Sequence, residues 1–275
     1  MKHNMRIIIL VENTASEPDL LAEHGLSFWI EYNGKHILFD TGQSDILINN
    51  AKVLGVDLSK TDSIVLSHGH YDHTGGLAAV LDVAKNAKIY LHPDALKQRF
   101  SKKDFGAKPN GIFESSVKAI QNREVIWTKG PTQIFPGITV TGQVPRINDF
   151  EDVGGAFYTD KEFQTPDELL DDQTLFIETV KGLVVVLGCA HAGVVNILNY
   201  ISKLSGKKSV YTVLGGMHLL QASTNRIEQT RIALRDFGLE KIGPAHCTGE
   251  KAIEKIISAF PDQYFTCKAG TNIDL

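Results

Sequence analysis

The stretch SHGHYDHTGG, residues 67–76, contains three histidines and an aspartate within six positions. It follows the apolar run Ile64–Leu66, which predicts a buried strand, and it leads into Gly76–Ala84, whose apolar spacing predicts a helix. Three imidazoles and a carboxylate this close together would be costly without a cation between them, and such N and O ligands suit Zn, Mn or Fe. The pattern therefore predicts a metal site at the end of a strand.

Three further histidines follow apolar runs in the second half of the chain. Each run predicts a strand, and small residues lie next to each histidine, where they let the backbone and a metal approach closely. Open α/β sheets place their sites at the carboxyl ends of strands, so these histidines are candidate site residues. The runs are Leu183–Leu187 before His191, Ser209–Leu214 before His218, and Ile242–Ala245 before His246.

Length and composition are those of an ordinary globular enzyme, with 275 residues, 43% hydrophobic residues and a formal net charge of -4. A chain of this length buries roughly 75% of its unfolded surface, so its core needs no metal, and any metal should serve chemistry. The acidic balance offers no general attraction to nucleic acid or to an anionic membrane. We therefore expect no nucleic acid and no membrane as partners; a homo-oligomer is left open.

The cysteine count and the apolar runs bear on the compartment. Three cysteines, Cys189, Cys247 and Cys267, are not a disulfide framework. No run has the length of a signal-peptide core or of a membrane span of ~20 residues. We expect a cytoplasmic protein. Cys189 has two interpretations, a thiolate metal ligand or a buried apolar residue.

The remaining pattern predicts a mixed sheet with helices on its outer face and one domain over residues 1–275. Asn33-Gly34 lies between Gly25–Tyr32 and Lys35–Phe39 and predicts an antiparallel hairpin. The tail Gln263–Ala269 is a candidate closing strand. Residues 93–130 contain eight Lys or Arg against four acids, and they predict either a solvated insertion or a lid that recruits anions. Other expected elements are helices at Ser44–Leu54, Gly193–Leu204, Arg226–Phe237 and Lys251–Ala259, and strands at Ile7–Val11, Lys88–Leu91 and Thr174–Thr179.

With these motifs the sequence resembles the metallo-β-lactamase-fold hydrolase superfamily. The signature His-x-His-x-Asp-His is present within residues 68–73, and the first motif, an Asp after a strand, is present as Asp40. The strings DDQTLFIET, GLVVVLGCAHAG, LGGMHLL and PAHCTG resemble the branch of dihydropterin-aminobenzene ribofuranosyl phosphate synthase-like proteins. The resemblance implies an αββα sandwich of two mixed sheets flanked by helices, with the site at one edge of the sheets.

The resemblance also implies a dinuclear site with two divalent metals. Zinc is the expected metal, and Mn and Fe are the alternatives. Such metals share a hydroxide that attacks the substrate and together hold the developing negative charge. The first metal would take His68, His70 and His191, and the second would take Asp72, His73 and His246.

The sequence departs from the common pattern of the superfamily at two places. Asp171-Asp172 occupies the place of a usual histidine, and Cys189-Ala190-His191 occupies the place of a usual bridging aspartate. Either Asp172 takes the ligand role of the usual histidine and His191 takes the later ligand role, or His191 serves alone and the bridge is missing. In the second case the second metal is weakly held.

Other side chains have candidate supporting roles. Asp40 is expected to hold an imidazole N–H, with a simple turn residue as the alternative. Asp72 or His218 would transfer the proton during the reaction. Arg146 would bind a substrate phosphate or carboxylate. A structural histidine and a surface arginine are the alternatives for His218 and Arg146. The histidines left outside the site are His3, His24, His36 and His92.

These expectations together favour a metal-dependent hydrolase whose partner is a small anionic substrate, phosphorylated or a phosphodiester or ester. Two alternatives stay open. One is a synthase or transferase of the pterin-related branch, and the other is a metal-containing sensor without turnover. A nuclease is disfavoured by the net charge of -4.

Overall fold

The computed structural model describes residues 5–275. The strands, in chain order, are β1 (Met5–Val11), β2 (Ser27–Tyr32), β3 (Lys35–Phe39), β4 (Ser63–Val65), β5 (Lys88–Leu91), β6 (Phe100–Lys103), β7 (Gly106–Pro109), β8 (Val125–Trp127), β9 (Thr132–Phe135), β10 (Ile138–Val140), β11 (Phe157–Tyr158), β12 (Leu175–Thr179), β13 (Gly182–Leu187), β14 (Val210–Gly216), β15 (Lys241–Ala245) and β16 (Asn272–Asp274). The helices are α1 (Ile46–Val53), α2 (Tyr71–Thr74), α3 (Leu77–Val83), α4 (Glu114–Ile120), α5 (Val194–Ser205), α6 (Thr224–Leu234) and α7 (Glu250–Ala259).

The chain divides into two compact units. The first unit comprises the chain up to Trp127, Ala156–Asp167 and Lys268–Leu275. The second unit comprises Thr128–Gly155 and Glu168–Cys267. The single domain expected over residues 1–275 stays a prediction.

The first unit is built on a seven-stranded mixed sheet in the order β16-β1-β2-β3-β4-β5-β8. Strands β2 and β3 form the expected antiparallel hairpin, and Asn33 and Gly34 both have positive φ, 51° and 73°, as a tight primed turn requires. From β3 to β8 the strands are parallel. Helices α1 and α3 bury Leu47 and Leu77 in one apolar cluster with residues of this sheet, such as Ile64.

The second unit is built on a six-stranded mixed sheet in the order β15-β14-β13-β12-β10-β9. Strands β13, β14 and β15 are parallel neighbours, so their carboxyl ends lie along one edge. Helix α5 buries Leu198, α6 buries Ile227 and α7 buries Ile256 in one cluster that includes Val185 of β13. This arrangement brings together three segments that are far apart in sequence.

The basic stretch 93–130 has more regular structure than expected. It contains the hairpin β6–β7, which pairs with β11 in a small third sheet, and also α4 and β8. Arg99 is 1% exposed and its Nε lies 2.7 Å from Asp167 Oδ2, so this cation is part of the structure. Lys102, Lys103 and Lys108 are exposed on the hairpin. A lid that recruits anions stays a prediction.

The expected closing strand at Gln263–Ala269 is wrong, because this segment forms only two isolated bridges, Tyr264 with Ile242 and Ala269 with Ala15. The closing strand is β16 instead, which pairs antiparallel with β1. Between residues 5 and 275, no helix combines the length and the apolar character needed to cross a bilayer.

Candidate metal centre

The histidine loop, residues 67–76, follows β4 in the first unit and is held by main-chain hydrogen bonds. Thr41 N donates to His73 O (2.8 Å), and Tyr71 N donates to Asn110 O (3.1 Å). Its glycines are required by close packing: a Cβ on Gly69 would lie 2.1 Å from a backbone oxygen, and a Cβ on Gly75 would lie 2.0 Å from another. The glycines therefore let this loop lie directly against neighbouring backbone.

The side chains of this loop converge on one buried point. His68 Nε2 lies 2.9 Å from His70 Nδ1, and His73 Nε2 lies 3.8 Å from Asp72 Oδ2. All four residues are buried, with exposed fractions between 0% and 7%. Two ring nitrogens turned toward each other this closely, with a third ring and a carboxylate beside them, fit a divalent cation of the zinc, manganese or iron type.

The second nitrogen of each of these imidazoles contacts a polar side chain of the first unit. His68 Nδ1 lies 2.9 Å from Ser67 Oγ, and His70 Nε2 lies 3.2 Å from Asn110 Nδ2. His73 Nδ1 donates to Asp40 Oδ2 at 2.7 Å. Since a carboxylate only accepts, the lone pair of a neutral His73 is on Nε2, the atom that faces Asp72.

Asp40 connects two parts of this loop. Besides His73, its carboxylate accepts the Ser67 N–H at 2.7 Å and the Ser67 hydroxyl at 2.8 Å. Asp40 is fully buried and has a φ of 61°, which is unusual for a non-glycine residue. Such strained positions concentrate at functional sites, where surrounding structure stabilises them.

His24 was left outside the site by the sequence reasoning, but it contacts a site residue. Its Nε2 lies 3.1 Å from Asp72 Oδ2, and its side chain is 54% exposed. No motif surrounds His24 in sequence, so only tertiary structure brings it to Asp72. His36 stacks on Trp29 and His92 accepts from the Asp94 N–H, as structural residues do, whereas His3 lies outside the described residues.

In the second unit, a non-glycine residue with positive φ follows each of the three parallel strands. Ala190 follows β13 with a φ of 56°, His218 follows β14 with 47°, and His246 follows β15 with 51°. Each such residue costs roughly 1–3 kcal/mol. These turns place His191, His218 and His246 at one edge of this sheet, as the sequence indicates.

His191 and His218 are neighbours at this edge, with ring centroids 4.1 Å apart. The Nδ1 of His191 lies 2.9 Å from the Val153 carbonyl oxygen. The Nε2 of His218 lies 3.1 Å from the Gly154 carbonyl oxygen. The two rings therefore contact the same short loop through different nitrogens.

Cys189, His218 and Cys247 form a second cluster with metal-ligand chemistry at this edge, their ligand atoms within 4.8 Å of one another. Burial disfavours the charged form of His218, but the Cys247 side chain and the Gly154 carbonyl raise its pKa. Burial also opposes ionisation of Cys247, yet a hydrogen bond with the Cys189 side chain and the nearby His218 and His246 rings lower the pKa of the Cys247 thiol well below its usual range. Cys247 was not among the site residues expected from the sequence.

Asp172 and Arg146 both contact the segment that carries His191. Asp172 Oδ2 accepts the Ala192 N–H at 2.8 Å, and burial raises the pKa of this carboxyl to about 7. Arg146 donates to the carbonyls of Glu168 and His191. A ligand role for Asp172 and a substrate contact for Arg146 stay predictions.

The family follows from a comparison with known proteins, in addition to this geometry. A model of the metallo-beta-lactamase superfamily matches residues 21–200. The chain belongs to the metallo-β-lactamase superfamily. The expected fold class, two mixed sheets flanked by helices, is confirmed, and the chain is an enzyme of this superfamily.

The matches extend over nearly the whole metallo-β-lactamase-fold chain. It is 34% identical over 281 residues to the 7,8-dihydropterin-6-methyl-4-(beta-D-ribofuranosyl)-aminobenzene-5'-phosphate synthase of Methanocaldococcus jannaschii, covering 97% of this chain and 95% of that protein. It is 37% identical over 256 residues to an uncharacterized protein of the same organism, covering 91% and 93%. The crystal structure of Tm1679, described as a metal-dependent hydrolase of the beta-lactamase superfamily, matches with 30% identity and a TM-score of 0.85 over 98% of this chain and 99% of that chain. The resemblance seen in the sequence, to the superfamily and to the synthase-like branch, is confirmed.

Proposed function

We propose that this chain is a cytoplasmic metal-dependent hydrolase of a small anionic substrate, such as a phosphorylated compound, a phosphodiester or an ester. The observation that carries the proposal is the buried pair of nitrogens, His68 Nε2 and His70 Nδ1, 2.9 Å apart. Two buried imidazole nitrogens that face each other this closely, with the His73 ring and the Asp72 carboxylate beside them, form a donor set that suits a divalent cation.

Six side chains are the proposed ligands of two divalent metals. Zinc is the metal proposed first. When bound, such a metal acidifies a water molecule and polarises a phosphoryl or carbonyl oxygen. The proposed ligands are His68, His70, Asp72, His73, His191 and His246.

The proton steps are assigned to two side chains. The Asp72 carboxylate lies 3.1 Å from His24 Nε2, and His24 is half exposed, so a proton taken by Asp72 has a short route to solvent. His218 is the second proton carrier, because its raised pKa favours the protonated ring that a leaving group needs. Arg146 is proposed to bind the anionic group of the substrate.

Metal analysis together with turnover tests this proposal. The purified chain should contain divalent metal and hydrolyse members of a panel of phosphodiesters, phosphomonoesters and esters, and chelation should abolish turnover. His68→Ala and His191→Ala should each lose metal, whereas His36→Ala, a matched structural histidine, should retain it. Retention of full metal content by His191→Ala would refute its ligand role, and metal-independent turnover would refute the hydrolase.

A synthase is the second candidate, supported by the 34% identity to the ribofuranosylaminobenzene phosphate synthase. This reaction would form a bond between the 6-methyl carbon of a dihydropterin and the amine of a ribofuranosylaminobenzene phosphate; the pterin substrate would carry a leaving group at that carbon, and the amine would lose a proton. Incubation of the metal-loaded chain with both substrates, followed by mass spectrometry, distinguishes the two functions. Formation of the joined product without hydrolysis of the panel would favour the synthase.

A further inference from the structure

The loop of residues 148–154 in the second unit contacts two neighbouring histidines through consecutive carbonyls. Val153 O lies 2.9 Å from His191 Nδ1, and Gly154 O lies 3.1 Å from His218 Nε2. A carbonyl oxygen only accepts hydrogen bonds, so the facing nitrogen of each ring must carry the proton. In the neutral rings the lone pair is then on Nε2 of His191 and on Nδ1 of His218.

Glu151 attaches this loop to the start of α5. Its carboxylate accepts the N–H groups of Val195 and Asn196, both at 2.9 Å, and Asn148 Nδ2 donates to it at 2.8 Å. The side chain is buried, and a Cβ on Gly193 would lie 2.3 Å from the Glu151 carboxyl carbon. The first turn of α5 is therefore shaped around this carboxylate, which also suits the positive end of the helix dipole.

Asp152 attaches the same loop to α6. Its carboxylate pairs with the guanidinium of Arg226, which is only 3% exposed. Asp152 is next to Val153, whose carbonyl contacts His191. Two successive acidic side chains thus attach the loop to two different helices, and the two residues that follow contact the histidines.

Gly154 completes the arrangement because no larger residue fits beside His218. Its φ is 79°, and a Cβ at this position would lie 2.0 Å from His218 Cδ2. The close approach puts the Gly154 carbonyl within hydrogen-bond distance of the ring.

We propose that the 148–154 loop sets opposite tautomers on His191 and His218, with Glu151 and Asp152 as its positioning residues. The loop leaves the lone pair of His191 on Nε2, the nitrogen proposed to bind metal, and the lone pair of His218 on Nδ1. The consequence for metal binding depends on the proposed function, whereas the tautomers do not. Partners that orient a ligating imidazole typically change metal affinity 10-fold to 100-fold when they are removed.

Nitrogen-15 spectra of the full chain test the tautomers directly, since two-bond correlations show which ring nitrogen carries the proton. In the metal-free wild type we expect the Nδ1–H form of His191 and, when neutral, the Nε2–H form of His218. Glu151→Gln keeps the shape of the side chain but loses one acceptor oxygen, and it should mix the His191 tautomers and weaken zinc binding about 10-fold. Asp149→Asn, an exposed acid in the same loop, is the control and should change neither.

A second pair of variants distinguishes the close approach of Gly154 to His218 from the general effect of backbone strain at a positive φ. Gly154→Ala and Gly206→Ala both introduce a Cβ at positive φ, but the Cβ at Gly206 meets nothing within 4 Å. Only Gly154→Ala should shift the His218 nitrogen signals. Equal spectra and zinc affinities for Glu151→Gln and Asp149→Asn, or an unchanged His218 in a folded Gly154→Ala, would overturn the proposal. A wild type with these tautomers but no zinc binding would instead count against the proposed function alone.

Discussion

The histidine loop of the first unit and the strand ends of the second unit supply similar side chains in different ways. Residues 67–76 carry four of the proposed ligands on one continuous segment. The second unit carries His191 and His246 55 positions apart, and only the pairing of β13, β14 and β15 places them on one edge. The first arrangement is local and visible as a motif, whereas the second depends on a correctly assembled sheet.

The largest loss of stability is expected on removal of the buried Asp40 carboxylate, which holds the histidine loop. Asp40→Ala removes the acceptor of the His73 ring, the Ser67 N–H and the Ser67 hydroxyl. Because buried polar groups lose their partner, we expect a loss of about 3–5 kcal/mol in the free energy of unfolding, measured with urea. Asp82→Ala, an exposed acid of the same unit, should change the free energy of unfolding little; a similar cost for both variants would show that Asp40 does not hold this loop.

Metal binding is expected to have the next largest effect. A ligand at about 100 times its Kd stabilises the folded state by about 2.7 kcal/mol, so zinc should raise the melting temperature and a chelator should reverse the change. His68→Ala should abolish the shift, because it removes one of the two nitrogens 2.9 Å apart. A full zinc-dependent shift in this variant would show that the histidine loop is not the principal site.

Close packing of the histidine loop should have an intermediate effect. The Cβ in Gly75→Ala would lie 2.0 Å from the Gln43 carbonyl oxygen, although the φ of Gly75, -67°, is ordinary for alanine. Overpacking of this kind costs about 1–3 kcal/mol, which urea unfolding measures. Gly130→Ala, whose Cβ meets nothing within 4 Å, should be close to neutral. Equal stability of the two variants would show that the loop adjusts without cost.

The smallest expected effect is a change with pH in the free energy of unfolding, caused by Glu151 of the second unit. Burial raises the pKa of Glu151 above its usual value of 4.5, despite hydrogen bonds from Asn148, Val195 and Asn196. Relative to the unfolded state, folding therefore favours the protonated form of this carboxyl, so its contribution to stability is present below the unfolded pKa and is lost as pH rises through the folded pKa. The difference in unfolding free energy between wild type and Glu151→Gln should shift in favour of the variant as pH rises. An opposite trend in urea unfolding at several pH values would contradict the raised pKa.

The sequence predicts the first unit's site better than the second's. The candidate ligands His68, His70, Asp72 and His73 are recognisable because they and the glycines that close packing requires are adjacent in the chain. Cys247 and His24 were missed, since a single cysteine or histidine carries no local signal.

The contacts of the 148–154 loop were also missed. They are made by backbone carbonyls, which every residue carries, so the amino-acid types do not indicate them. The hairpin β6–β7 was missed because residues 93–130 show no clean apolar periodicity, and its partner β11 is only two residues long. The tail Gln263–Ala269 was predicted as a strand, but only two isolated bridges form there, and the edge position next to β1 is taken by β16.

By itself, the sequence determined the superfamily, the mixed sheets and the residues of the histidine loop. These features depend on local spacing. The periodicity of apolar residues indicates strands and helices, and candidate ligands that are close in sequence form a recognisable motif. Only the tertiary structure decided which nitrogen of each histidine faces which partner, and that Glu151, Asp152 and Gly154 hold His191 and His218. Those contacts join residues tens of positions apart, and their energy depends on distance and burial rather than on sequence neighbours.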